Sequence, residues 1–115
     1  MTTVTWQETT IMNSRSQGLA ALCLRFGPDS RGWVIVCHGF TGSKEGGGKA
    51  QAMAEALATQ SGFSFVLFDF AGNGQSEGQF EDLTLTHQIQ DLNAVVDWCL
   101  EQEPGPVVTM GRSFG

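Results

Sequence analysis

The stretch "VVTMGRSFG", Val107 to Gly115, begins as a short apolar, β-branched run and ends as glycine, any residue, serine, any residue, glycine. A buried strand that runs straight into such a turn is the setting of a nucleophilic serine held at a sharp bend between a strand and a helix. The flanking Gly111 and Gly115 permit the bend and a close approach of backbone, and Ser113 is the candidate nucleophile. A serine hydroxyl is a poor nucleophile unless a base takes its proton, so Ser113 needs a base to act.

Upstream of this strand the pattern repeats. "WVIVCH", Trp33 to His38, is a compact apolar run bounded by Gly32 and Gly39, and predicts a central strand covered on both faces. "FSFVLFDF", Phe63 to Phe70, predicts a second buried strand, and "VVTM", Val107 to Met110, a third. Between them, "KAQAMAEALATQ" predicts a helix with Met53, Ala56 and Leu57 on its apolar face and Gly62 as its stop. Leu85, Ile89, Leu92, Val96 and Cys99 mark the apolar face of a second helix that ends near "EQEPGP". "VTWQETTIM" and "LAALCLRF", separated by the turn-prone "NSRSQG", predict an antiparallel pair at one edge. Strand, helix, strand, helix, strand in this order predicts an α/β fold. Its sheet is mostly parallel with right-handed crossovers, and it carries the antiparallel pair at the start. Ligand chemistry in such sheets gathers at the carboxyl ends of the strands. Three loops leave those ends: "HGFTGSKEGGG", "DFAGNGQSEG" and "GRSFG".

Length and composition set the outer bounds. The chain has 115 residues, 41% hydrophobic and 16% charged, which is the make-up of one ordinary folded unit rather than a disordered segment. There is no internal repeat and no linker to divide it. The net charge of −6, with no basic cluster, argues against nucleic acid and anionic membranes as partners. The opening "MTTVTWQETT" has neither the basic start nor the apolar run of a secretory signal, so a cytoplasmic location is expected. Cys23, Cys37 and Cys99 are odd in number and embedded in apolar runs, which predicts buried free thiols rather than a disulfide or metal set; no metal or other cofactor is expected.

Two glycine-rich loops invite nucleotide readings that their spacing does not support. Gly46 to Gly48 precede Lys49, but Ala50 stands where a phosphate loop needs serine or threonine, and the register from Gly42 does not fit. Gly72, Gly74 and Gly78 follow a strand, yet the third glycine comes one residue late for a dinucleotide fingerprint, and Asp69 precedes the glycines. The alternative is a tight loop in which Asp69 accepts from backbone amides and the glycines supply positive φ. His38, beside Gly39 at the end of a buried strand, reads as a residue that braces a loop through its ring nitrogens. His87, near a helix start, reads as exposed or in a local polar contact, so neither histidine is the base that Ser113 needs.

Taken together, "HGFTGSKE", "FDFAGNGQSEGQFEDLTL", "AVVDW" and "GRSFG" resemble the α/β-hydrolase superfamily, and within it the serine-aminopeptidase-like hydrolases that include cinnamoyl and feruloyl esterases. The resemblance runs from Trp33 to Gly115. It implies that residues 1–115 are the amino-terminal portion of one such domain, an incomplete sheet that ends at the nucleophile elbow. It further implies that the backbone N–H groups of Phe40 and Phe114 form the oxyanion hole, and that the Asp69 loop is structural. The family's acid and histidine follow the serine and have no counterpart here. The chain alone is therefore expected to be inert, as part of an enzyme that acts on small-molecule esters, with peptides and thioesters left open. Self-association or a complementing chain at the exposed sheet edge is expected. The alternative is a non-catalytic interaction module from a truncated reading frame that pairs through the same edge.

Overall fold

The computed structural model describes residues 6–27, 29–38, 48–82 and 84–111. The chain opens with a hairpin, β1 (Trp6–Met12) and β2 (Gly18–Leu24), paired antiparallel from Trp6 opposite Leu24 to Met12 opposite Gly18. Its turn is organised by Asn13, whose Oδ1 accepts from the N–H groups of Arg15 and Gln17 at 2.9 Å each. This is an Asx arrangement, in which a side-chain carbonyl does the work of a backbone one.

The rest of the chain alternates strand and helix: β3 (Trp33–Cys37), α1 (Lys49–Ser61), β4 (Ser64–Phe68), α2 (Leu85–Gln102) and β5 (Val107–Gly111). A short 3-10 turn, Phe80–Asp82, precedes α2. The sheet has the order β1-β2-β4-β3-β5, with β3 parallel to both β4 and β5, and β2 antiparallel to β4. This is the mostly parallel α/β sheet with an antiparallel opening pair that the sequence predicts. It is an open sheet, with β1 at one end and β5 at the other.

Alternation along β3 divides the core into two layers. Trp33 and Ile35 point into a cluster with Val66, Phe68, Val95 and Cys99, under α2. Val34 and Val36 point into a second cluster with Phe65, Leu67, Ala54 and Ala58, under α1. A strand covered by a helix on each face has to be apolar at every position, which is why "WVIVC" shows no period-two pattern.

Four expectations are corrected. The second buried strand is Ser64–Phe68 rather than Phe63 to Phe70, because Asp69 and Phe70, though buried, already belong to the loop. The apolar face of α1 is Ala50, Ala54 and Ala58, with Met53 and Leu57 half-buried beside it and Ala56 exposed. Three alanines one turn apart let the helix backbone approach the sheet closely, a packing that the larger residues flank. The buried stripe of α2 is Asp91, Val95 and Cys99, whereas Leu85 and Ile89 are 73% and 51% exposed. The helix is rotated so that the Asp91 carboxylate meets three donors beneath it, a requirement that the apolar period does not register.

The strand Val107 to Met110 was expected to be buried, but β5 is the last strand in the order and Val108 is 48% exposed. Only its β3 side is paired among the described residues. Caps close both helices. Thr84 Oγ1 accepts from the His87 N–H at the start of α2, and Gly62, with φ of 78°, ends α1 by donating to the Ala58 carbonyl. No helix among the described residues is long and apolar enough to cross a membrane.

Candidate functional site

Parallel pairing brings three strand ends into one row. Cys37, the last residue of β3, is in register with Phe68, the last of β4, on one side and with Gly111, the last of β5, on the other. Neighbouring strands lie about 4.8 Å apart, so the strand ends Phe68, Cys37 and Gly111 lie within about 10 Å of one another. The chain leaves β3 toward α1 on one face and leaves β4 toward α2 on the other. The ends of β3 and β4 thus flank the point where successive connections diverge, which is where open α/β sheets form their crevice.

His38 is buried at the mouth of this row, 6% exposed. Its Nε2 accepts from the Phe70 N–H at 3.1 Å, and its ring stands edge-on to Phe70 with centroids 5.2 Å apart. A backbone N–H can only donate, so Nε2 presents its lone pair there, and in the neutral ring the proton sits on Nδ1. The ring ties the end of β3 to the loop after β4.

That loop, Asp69 to Gly78, is built around two carboxylates. Asp69 is fully buried. Its Oδ2 accepts from the Gln75 N–H at 3.0 Å, its own N–H donates to the Ala20 carbonyl, and its carbonyl accepts from Ser76 Oγ. Gly74, at φ of 52°, lies so close that a Cβ there would fall on the Asp69 carboxylate. The loop also extends the sheet beyond β4: Glu77 donates its N–H to the Gly18 carbonyl, and the Ser76 hydroxyl accepts from the Ala20 N–H.

The second carboxylate is Asp91, which the sequence reading missed. It is fully buried on α2; Oδ1 accepts from Asn13 Nδ2 and Arg15 Nη2 at 2.9 Å each, and Oδ2 accepts from the Ala71 N–H at 2.9 Å. The signal available was its place one turn before Val95 and two before Cys99, a charged residue on the stripe that turned out to be buried.

Of the sequence-predicted site residues, His38 and Asp69 are thus brought to adjacent strand ends. Gly39, Phe40, Ser113 and Phe114 lie outside the described residues, next to ends that are described: Phe40 is three positions after Cys37, and Ser113 two after Gly111. His87 is not brought to the row. It sits on the first turn of α2, with Nδ1 2.8 Å from the Asp82 carbonyl. All three cysteines are free thiols. Burial pushes Cys37 up to about 11; burial, and secondarily the neighbouring Cys23, pushes Cys99 up to about 12, so both remain protonated and unreactive near neutral pH. Among the described residues no cluster of histidine, cysteine and acidic side chains could hold a metal ion.

Comparison with known proteins agrees with this architecture. The family model of X-Pro dipeptidyl-peptidase (S15 family) matches residues 5–115. Esterase Pf2001 of Pyrococcus furiosus superposes with a TM-score of 0.82 at 24% identity, over 97% of this chain and 41% of that one. Est1E of Butyrivibrio proteoclasticus, solved with ferulic acid bound, superposes with a TM-score of 0.80 at 29% identity, over 93% of this chain and 43% of that one. The mitochondrial palmitoyl-protein thioesterase ABHD10 of Bos taurus is 30% identical over 82 residues, 71% of this chain and 25% of that protein. The chain therefore spans about a quarter of the length of the curated relatives it matches. With a family match over residues 5–115 and superposition on solved esterases over nearly its whole length, the chain belongs to the X-Pro dipeptidyl-peptidase (S15) family and has the α/β-hydrolase fold.

Proposed function

We propose that this chain carries the nucleophile of a serine hydrolase that cleaves carboxylic esters through an acyl-serine intermediate. The observation that supports the reading best is the row of strand ends Phe68, Cys37 and Gly111, which Asp69, Phe40 and Ser113 follow in the sequence by one, three and two positions. Ser113 Oγ attacks the ester carbonyl as its proton passes to a histidine. The negative oxygen that forms is held by the N–H groups of Phe40 and Phe114, a pair of preorganised donors that lowers the barrier by several kcal/mol. The protonated histidine then gives its proton to the departing alcohol, and water releases the acid by the reverse sequence. His38, Gly39 and Asp69 brace the loops and do not touch the substrate.

The base comes from outside these 115 residues. His38 has its Nε2 engaged by the Phe70 N–H, and His87 faces the Asp82 carbonyl at the start of α2. A polypeptide of these residues alone is therefore without turnover, and activity requires an acid–histidine pair supplied by further chain or a second one. Small carboxylic esters are the first substrates to try, since the solved relatives include esterases and one holds ferulic acid. Thioesters come next, given the thioesterase relative. The three free thiols fit a reducing compartment such as the cytoplasm.

An activated phosphonate tests this directly. Intact mass of the 115-residue polypeptide is expected to stay unchanged on exposure, whereas any preparation with ester turnover is expected to carry the adduct on Ser113. Ser113→Ala should abolish adduct and turnover together. Turnover that survives the substitution would overturn the assignment.

A second reading is favoured by the exposure of Val108 on the terminal strand β5: a non-catalytic module that pairs through this edge. It predicts oligomers without turnover on size-exclusion chromatography, and a monomer that hydrolyses esters would exclude it.

A further inference from the structure

Two consecutive amides in the loop after β4 point to different anchors. The Phe70 N–H donates to His38 Nε2 at 3.1 Å, and the next N–H, that of Ala71, donates to Asp91 Oδ2 at 2.9 Å. The Phe70–Ala71 peptide is therefore held between the end of β3 and α2. Asp91 is itself anchored, because its other oxygen accepts from Asn13 in the hairpin turn and from Arg15, whose Nη1 also reaches Gln90 Oε1 at 2.5 Å. Asn13 in turn holds the backbone of that turn through its Oδ1. A buried carboxylate with both oxygens engaged is a rigid joint, since any rotation would strand a charge in an apolar layer without partners.

We propose that Asp91 is a positioning residue for the β3 corner: through Ala71 and Phe70 it fixes the orientation and tautomer of His38, the residue that follows β3 and stands two positions before Phe40 in the sequence. The proposal rests on the reading of Phe40 as an oxyanion donor for its catalytic meaning, but its physical content is the coupling of Asp91 to His38 across 53 positions of sequence. Asparagine at 91 is nearly isosteric and has a single acceptor oxygen. Turned toward Ala71, it sets its amide N–H₂ against Asn13 and Arg15; turned the other way, it sets that group against the Ala71 N–H. One side of the joint is lost in either orientation.

The test is NMR on the isotopically labelled chain. In the wild type, His38 is expected to show one protonated ring nitrogen, Nδ1, and one bare nitrogen, Nε2. In Asp91→Asn the two should move toward averaged values, and exchange of the Phe70 amide should quicken by about tenfold, the loss of one buried hydrogen bond. Asp97→Asn, an exposed acid on the same helix, should change neither. A shifted Ala71 amide in Asp91→Asn with the His38 nitrogens and Phe70 exchange unmoved would overturn the coupling. Should the variant fail to fold, exchange in the wild type decides: one joint opens as one event, so Phe70 and Ala71 should share a protection factor, and a difference beyond about tenfold would sink the proposal. None of these readouts needs Ser113 to react. Failure of the serine assignment would appear in the phosphonate experiment alone.

Discussion

At the scale of single residues, the loop after β4 shows why glycine stands where it does. Gly74 has φ of 52°, and the space where a Cβ would go is filled by the Asp69 carboxylate. Gly74→Ala is expected to lower stability by about 1–3 kcal/mol in urea unfolding, by displacing a fully buried charge from the Gln75 amide. The cysteines make a second prediction, set by pH. Their ordinary value is 9.0, and burial raises Cys37 to about 11 and Cys99 to about 12. In the unfolded chain the thiols ionise near 9.0, in the folded chain only well above it, so between these values the unfolded state has released protons that the native state retains. The contribution is complete below pH 9 and is lost as pH rises from 9 through about 11 and 12. Urea midpoints measured from pH 8 to 10.5 should fall, and Cys99→Ala should flatten that slope. That Asp69 would accept from backbone amides was legible in the glycines around it. The part played by Asp91 was not, because its donors come from positions 13, 15 and 71, which are remote in sequence.

At the scale of elements, the two helices were found by their period but their buried faces only in part: Cys99 is buried and Leu92, Val96, Met53 and Leu57 pack against the core, whereas Leu85, Ile89 and Ala56 are exposed. The face of α1 is set by close approach: Ala54 is fully buried between helix and sheet. Ala54→Leu, which raises hydrophobicity, is nevertheless expected to lower stability by about 1–3 kcal/mol in thermal or urea unfolding, because the added methylenes have no room. On α2 the expectation is reversed. Ile89 belongs to the apolar stripe read from the sequence yet is 51% exposed, so Ile89→Gln should shift stability by less than about 0.5 kcal/mol. A loss of several kcal/mol would mean that this face is covered. Apolar residues on α2 occupy a wider arc than the sheet covers. Periodicity locates such an arc without saying which part of it meets the core.

At the scale of the whole molecule, the outer edge of β5, unpaired among the described residues, and the net charge act against each other. Val108 is half exposed on a terminal strand, which favours pairing with another chain, while a charge of −6 on each copy opposes approach. Added salt screens the repulsion and leaves the apolar contact in place. Apparent size on chromatography is therefore expected to grow with ionic strength, and Val108→Lys should suppress the growth; a size independent of both would exclude pairing through this edge. The same openness links the fold to the proposed chemistry, since β5 is also the strand that leads to Ser113.

The order of strands and helices, the covered character of β3 and β4, the antiparallel start and the family membership were written in local pattern. A strand buried on both faces has to be apolar throughout, glycines mark obligatory bends, and the motif "GRSFG" follows an apolar run. These are properties of short segments, and short segments carry them. Only tertiary structure decided that α2 turns Asp91 inward, that α1 buries alanines, that β5 lies at an edge, and that Phe68, Cys37 and Gly111 finish in one row. Each of these depends on which distant groups meet. The hydrogen bonds of a buried carboxylate, the space between a helix and a sheet, and the register of parallel strands exist only between segments that the sequence keeps apart.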